Sequence, residues 1–195
     1  DNDSSLSIQV SDARKKLNLL SEETAKLRAR DITIKEFSRG DLAVKKILEL
    51  KNKKPGIYGT VAELGNVSSK YSVALEVAAG PRIKSIVVEN DKVAAELINY
   101  LKDNRLGTAT FLPLNKISGK PSNEDVAKLK DAKGVHDLAL NLVSFDPRFK
   151  KIFQYVFSDT LIVDNIHVAA RIGIGKAKFV TLDGDTAELS GAMHG

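Results

Sequence analysis

The sequence predicts an α/β (α+β) fold: two similar α/β subdomains related by internal duplication, preceded by a coiled-coil helix. Three observations carry that prediction. Residues 106–114 read LGTATFLPL and residues 174–182 read IGKAKFVTL, so Gly107, Ala109, Phe111 and Leu114 recur as Gly175, Ala177, Phe179 and Leu182. Upstream of each copy, VENDKVAA at 88–95 recurs as VDNIHVAA at 163–170, and earlier still a weaker match sets Tyr71 and Leu75 against Phe149 and Phe153. Matches in the same order describe a repeated unit of helix, strand, helix, strand. Ahead of both copies, apolar residues at Leu6, Val10, Ala13, Leu17, Leu20, Leu27 and Ile34 fall in alternating steps of four and three once Thr24 and Asp31 fill the gaps. That is a heptad seam, free of Gly and Pro until Gly40, and such a narrow stripe needs a partner strand.

The elements follow in order. At 1.5 Å per residue the helix from Leu6 to Ile34 would run roughly 43 Å, long and narrow for a helix lying on its own domain, which is the alternative. The seam loses phase at 38–41, where Asp41 is placed to cap a second helix through Leu42, Val44, Ile47 and Leu48. Lys51, Lys53, Lys54, Pro55 and Gly56 form a basic turn that stops it. Next come a short strand at 57–61, a helix at 68–79 with Gly80 beyond its end, and a strand at 83–88. A helix at 92–104, capped by Asn90 or Asp91, buries Val93, Ala94, Leu97 and Leu101, and a strand at 108–112 closes the first copy. The polar stretch 115–133, with Gly119 and Pro121, is the connection. The second copy has a helix begun by Asp146 and Pro147, a strand at 160–163, a helix at 166–172 and a strand at 178–182. Asp183 and Gly184 then turn a hairpin into a strand at 186–189. The expected organisation is therefore an arm and connecting helix at 1–50 and subdomains at 51–120 and 121–195. A chain stopping at Gly195, in a tight glycine stretch, is expected to be a fragment of a longer protein.

Composition narrows the function classes. Hydrophobic residues make up 43% and charged residues 28% of the 195, ordinary for a soluble globular protein. No apolar run approaches the ~18 residues of a membrane span, and no apolar block near Asp1 resembles a signal peptide. With no cysteine, disulfide and thiolate chemistry are excluded, which fits a cytoplasmic protein. A net charge of +5 allows nucleic-acid binding without requiring it.

No catalytic constellation emerges. Gly173, Gly175 and Lys176 imitate a phosphate loop, but the required earlier Gly and following hydroxyl are replaced by Ala170 and Ala177, and the loop precedes a strand. His136, His167 and His194 are scattered, with no spacing for a metal site. Asp183 and Asp185 flank a turn glycine, and Ser190 lacks a nucleophile elbow. No catalytic residue, metal or cofactor is expected. What stands out is an edge: the terminal strand Thr186, Ala187, Glu188 and Leu189 followed by Ser190, Gly191, Ala192 and Gly195. Such an edge invites strand addition by a second chain, or its glycines only form a local loop.

These residues are recognisable. A coiled-coil helix running into a basic turn, then GIYGTVAEL, LGTATFLPLNKI and VTLDGDTAELSGAMHG, resembles the hinge domain of the structural maintenance of chromosomes (SMC) family, prokaryotic type, over essentially the whole chain. The resemblance implies a homodimerising hinge at the end of a long antiparallel coiled coil, in a chromosome-organising ATPase whose heads lie elsewhere. It implies a cytoplasmic, nucleoid-associated setting and roles in chromosome condensation and segregation. A glycine-rich run after the Asp-Gly turn lines the family's dimer interface. Gly191 and Gly195 match it, while Ser190 stands where some members carry a further glycine. The expected interface is thus Thr186, Ala187, Glu188, Leu189, Gly191 and Gly195. Weak, salt-sensitive DNA binding is expected at Lys51, Lys53 and Lys54, with Lys150 and Lys151 as further candidates. The expected partners are a second copy, DNA and the return helix of the coiled coil. Two other classes stay open on the residues alone, an α/β nucleotide-binding enzyme domain using the Gly175 loop and a freestanding DNA-binding protein.

A Leu seam without its second strand makes a marginal helix. A peptide of the first 35 residues is therefore expected to be mostly unfolded by circular dichroism. Linking it to the return helix should raise both helicity and melting temperature; no change on adding that helix would remove the seam.

Overall fold

The structure, a computed structural model, describes residues 2–195, with side chains described for 3–23 and 41–195. Helix α1 spans Asn2–Gly40. Its apolar side chains Leu6, Ile8, Val10, Leu17, Leu19 and Leu20 are exposed, between 47% and 70%. The seam positions Leu27 and Ile34 lie outside the residues whose side chains are described. Helix α2 (Leu42–Leu50) starts where Asp41 accepts from the Val44 N–H at 3.3 Å, and it buries Ala43, Val44 and Ile47.

Two sheets follow. The first comprises β1 (Ile57–Thr60), β3 (Ile86–Val88) and β4 (Phe111–Pro113) in the order β1-β3-β4. Between β1 and β3 lie α3 (Val61–Leu64), β2 (Asn66–Val67) and α4 (Ser72–Ala79), and α5 (Asp91–Asp103) joins β3 to β4. After α6 (Glu124–Ala127), the second sheet comprises β5 (Val135–Leu138), β7 (Thr160–Val163), β8 (Lys178–Thr181), β9 (Thr186–Ala187) and β10 (Met193–His194), in the order β10-β9-β8-β7-β5. Strand β6 (Val143–Ser144) and α7 (Lys150–Phe157) lie between β5 and β7, and α8 (Ile166–Ile172) joins β7 to β8. A small ladder of β2 with β6 ties the first half to the second.

The halves follow one plan. In each, an antiparallel pair (β1 with β3, β5 with β7) adjoins a parallel pair (β3 with β4, β7 with β8). Asn90 and Asn165 cap α5 and α8 at φ −154° and −159°, accepting from the Val93 and Val168 N–H groups. Gly80 (φ 58°, ψ −142°) and Ser158 (φ 42°, ψ −143°) end α4 and α7. A further correspondence escapes sequence comparison. Gly56 and Gly134 precede β1 and β5 at φ 95° and 84°, and their carbonyls accept from the N–H groups of Glu89 and Asp164. Only the glycine is shared there, so the sequence pattern does not predict β5.

Several bounds differ from expectation for local reasons. Residues 83–85 are not strand: Pro81 starts a 3-10 turn, Gly80–Lys84, and β3 begins at Ile86. Strand β4 begins at Phe111 rather than at 108. Within 115–133, Asn123 accepts from the Asp125 N–H and starts α6. The largest correction concerns the terminal edge. Strand β9 ends at Ala187 and is covered by β10, so Thr186 and Ala187 are buried and paired on both sides.

The strands alternate with period two between layers, both buried. Ile86 and Val88 face Val44, Ile47, Leu97 and Leu101, whereas Val87 faces the main core. Likewise Leu161, Val163 and Phe179 face Val168 and Ala169, whereas Ile162 and Val180 face the main core. That main core draws Val61, Leu75 and Leu112 from the first half against Phe149, Ile152, Phe153 and Val156 from the second. Phe153, 1% exposed, stacks on Phe145 with centroids 4.3 Å apart.

Because Phe153 sits in a core built by both halves, Phe153→Ala is expected to cost about 3–5 kcal/mol, as buried aromatic truncations do. Urea unfolding followed by circular dichroism should shift to lower denaturant as one transition; two separated transitions would mean that the halves fold independently.

Candidate dimer edge and nucleic-acid interface

The chain reaches its free edge through two hairpins of one type. In the first, the Gly184 N–H donates to the Thr181 carbonyl at 3.0 Å and the Thr181 N–H to the Asp185 carbonyl at 2.9 Å. The loop is therefore Leu182-Asp183-Gly184, one residue longer than a two-residue Asp-Gly turn. In the second, the Gly191 N–H donates to the Glu188 carbonyl at 3.0 Å and the Glu188 N–H to the Ala192 carbonyl at 2.7 Å. Its loop is Leu189-Ser190-Gly191. Such loops need a left-handed residue in third place, and Gly184 and Gly191 supply it at φ 93° and 95°. The loop role of Gly191 is thus real, and it is also what brings β10 back along β9.

The second sheet ends in β5 on one side and, on the other, in β10 rather than in the 186–189 strand expected from sequence. Of the six expected interface residues, Thr186 and Ala187 are buried inside the chain. Glu188 is half-buried, with its carboxylate 3.9 Å from Lys178 Nζ. Leu189, Gly191 and Gly195 are exposed. A Cβ on Gly191 would meet nothing within 4 Å, and one on Gly195 would lie 3.1 Å from Asp185 Oδ1. Met193 and Leu189, 53% and 62% exposed, give this edge an apolar flank, and nothing in the sequence pattern marks Met193 as part of it. The first sheet ends in β4, whose Pro113 offers no donor.

The expected DNA-binding lysines are differently occupied. Lys51 pairs with Glu63 at 3.8 Å, and Lys54 pairs with Glu96. Lys53, Lys150 and Lys151 are exposed and have no ion pair among the described residues. The Gly175 loop does not form a phosphate cradle: the Lys176 side chain folds over Gly173, where a Cβ would lie 3.0 Å from its Cδ.

Two polar clusters are joined only by folding. His136 Nε2 lies 2.6 Å from Asp164 Oδ1 and its Nδ1 lies 3.0 Å from the Tyr71 hydroxyl, linking residues of both halves. Asn115 donates to Asp91 Oδ1 at 2.9 Å, and this amide holds the Asp91 carboxyl below its ordinary range. No group of His, Asp and Glu able to hold a metal ion occurs among the described residues. Among the same residues, no helix is long and apolar enough to cross a membrane.

Comparison with known proteins places this architecture. Residues 54–173 match the family model of the SMC proteins Flexible Hinge Domain. The chromosome partition protein Smc of Synechocystis sp. is 46% identical over 157 residues, 80% of this chain and 13% of that protein. The chromosome partition protein Smc of Methanocaldococcus jannaschii is 42% identical over 184 residues, 92% of this chain and 15% of that protein. The chain thus spans only a small part of either relative. Among solved structures, an asymmetric dimer of the Geobacillus stearothermophilus SMC hinge domain superposes with TM-score 0.73 at 30% identity, covering 79% of this chain and 64% of that one. The Pyrococcus furiosus Smc hinge domain with an extended coiled coil gives 0.69 at 34% identity, covering 93% and 65%. With the family model spanning more than half of its length and relatives this similar, the chain belongs to the SMC hinge-domain family.

Proposed function

We propose that this chain is a noncatalytic homodimerisation hinge of a chromosome-organising SMC ATPase whose catalytic heads lie elsewhere, acting at the nucleoid in the cytoplasm in chromosome condensation and segregation. The observation that carries the reading is the β10 edge, whose outward backbone groups have no strand beside them among the described residues and whose flank is Leu189 and Met193. A second copy supplies what such an edge lacks, namely backbone partners and apolar cover. Each chain also presents the β4 edge on its other sheet. A β10-to-β4 contact made twice about a two-fold axis closes the dimer, with the carbonyls of β4 as acceptors and β1 and β5 left outside the contact. The exposed apolar side chains of α1 fit a return helix packed along them. Nothing in the Gly175 loop favours the nucleotide-binding enzyme.

Sedimentation tests the dimer. Met193→Glu places an unpaired carboxylate on the flank without straining the backbone, so it is expected to give a folded monomer at concentrations where the parent is dimeric. Gly191→Glu adds the strain of φ 95° to the same charge, so it needs a control, Gly191→Asn, which tolerates left-handed backbone and is expected to remain dimeric. A Met193→Glu protein that still sediments as a dimer removes β10 from the interface.

We further propose weak DNA binding through phosphates, centred on Lys53, Lys150 and Lys151, whose charges are not offset by a carboxylate as those of Lys51 and Lys54 are. Changing those three to Ala is expected to lower affinity and to flatten the salt dependence by about one unit of log slope for each phosphate no longer neutralised. Lys51→Ala and Lys54→Ala should change either quantity much less. Equal effects at all five positions would assign the binding to net charge rather than to these three lysines.

A further inference from the structure

The connection between the halves does not run free in solvent. Gly119 lies against α7 so closely that a Cβ there would sit 2.5 Å from the Lys151 carbonyl oxygen and 2.7 Å from Gln154 Cβ. Further along, the Asn123 N–H donates to Asp159 Oδ1 at 3.1 Å. Pinned at both places, this segment forms one wall of a groove of about 500 Å³, opposite Gln154, Tyr155, Ser158 and Arg82.

The cations of this groove are poised. Arg82 stacks its guanidinium 4.3 Å from the centre of the Tyr155 ring, and its Nη1 donates to the Tyr155 carbonyl at 3.2 Å. Those two contacts fix the plane of the fork, and no carboxylate pairs with Arg82 or Lys120 among the described residues. The one acid on the wall, Asp159, is engaged by the Asn123 N–H. Ser158 adds an independent observation. It holds φ 42° and ψ −143°, which its counterpart in the first half meets with glycine, Gly80 at φ 58° and ψ −142°. A side chain retained in a conformation better suited to glycine is a local cost to the fold, and such costs concentrate where the side chain is used. Here the side chain is a hydroxyl on the groove wall beside a preset arginine.

We propose that this groove is a phosphate-binding site, with Arg82 and Lys120 holding the anion, the Ser158 hydroxyl and the Asn123 side-chain amide donating to it, and the remaining volume taking the esterified group. A planar fork, an ammonium and neutral donors arriving from separate walls suit a tetrahedral oxyanion with several acceptor oxygens. The groove has room beyond a single phosphate, so it accommodates an esterified one, from either a nucleic-acid backbone or a small phosphate ester. The site shares no residue with the dimer edge or with the five expected DNA-binding lysines.

The test is a titration of the full 195-residue chain with inorganic phosphate, and separately with a short oligothymidylate, at constant ionic strength. Nuclear magnetic resonance follows the Arg82 Nε–H and the Ser158 and Asn123 amides. Saturable shifts at these groups with phosphate in about the millimolar range are expected. Arg82→Gln and Ser158→Gly should each weaken binding about tenfold, through loss of a hydrogen bond to a charged ligand. Ser158→Gly should also melt at the parent temperature or above it, since it relieves the backbone, so its loss of binding cannot be a loss of fold. Competition between phosphate and oligothymidylate for the same resonances identifies a nucleic-acid backbone as the ligand, and binding of phosphate alone identifies a small ester; both uphold the site. Absence of saturation with both probes overturns it, as does an affinity unchanged by Arg82→Gln and Ser158→Gly. Changing Lys53, Lys150 and Lys151 to Ala should leave phosphate binding intact, which separates failure of this site from failure of the lysine surface.

Discussion

Burial of both faces of each sheet is the constraint on which the rest of the structure depends. In β3 and β7 every side chain is buried, and the alternation sends Val87 and Ile162 to one side and Ile86, Val88, Leu161 and Val163 to the other. Helices of the same half cover one face: α2 and α5 on the first sheet, α8 and α6 on the second. The other face of each sheet is covered jointly, by α4 and α7 around Leu75 and Phe153. Val87 and Val180 both belong to that layer, so the two sheets share one apolar core. The small β2–β6 ladder and the Tyr71–His136–Asp164 chain add polar links across the same division.

That arrangement decides what remains available at the surface. With both faces occupied, a sheet can bind a partner only along its edges, and at the second sheet's outer edge the chain controls which strand is outermost. Two successive three-residue loops, each closed by a glycine at positive φ, fold β9 and then β10 outward from β8. The result buries Thr186 and Ala187 and exposes Leu189 and Met193. The SMC hinge-domain family to which the chain belongs includes a hinge solved as an asymmetric dimer, and an edge of this kind is the feature here that suits association.

The two halves also show how a common plan diverges. Where the first half ends α4 with Gly80, the second ends α7 with Ser158 in the same conformation. Where the first sheet stops at β4, the second continues through β9 and β10. Between them the connection is drawn onto α7 by Gly119, which creates a groove present in neither half alone. The buried positions Ile86–Val88 and Leu161–Val163 keep one chemistry in both halves.

What the sequence determined by itself are features whose physics acts over a few residues. Asp41, Asp146 and one of Asn90 and Asp91 read as helix starts because a short oxygen-bearing side chain reaches the N–H two or three positions on; Asp41, Asp146 and Asn90 do so. Strand β7 and helix α8 are legible to the residue, Thr160–Val163 and Ile166–Ile172, because the motif of the first copy repeats there. The recurring motifs predict two similar halves, and both halves pair their strands on one plan. Tertiary structure alone decided the rest. Strand β5 has one shared glycine and no strong alternation, so only pairing with β7 makes it a strand. Whether β9 is an edge depends on where β10 returns, and whether Lys51 and Lys54 are available depends on Glu63 and Glu96 from other elements. The groove at Arg82 needs three segments distant in the chain, and its one trace in the sequence is a serine aligned with a glycine. Such long-range contacts leave little local pattern, because a residue's partner across a sheet or a groove is set by the register of whole elements rather than by its neighbours.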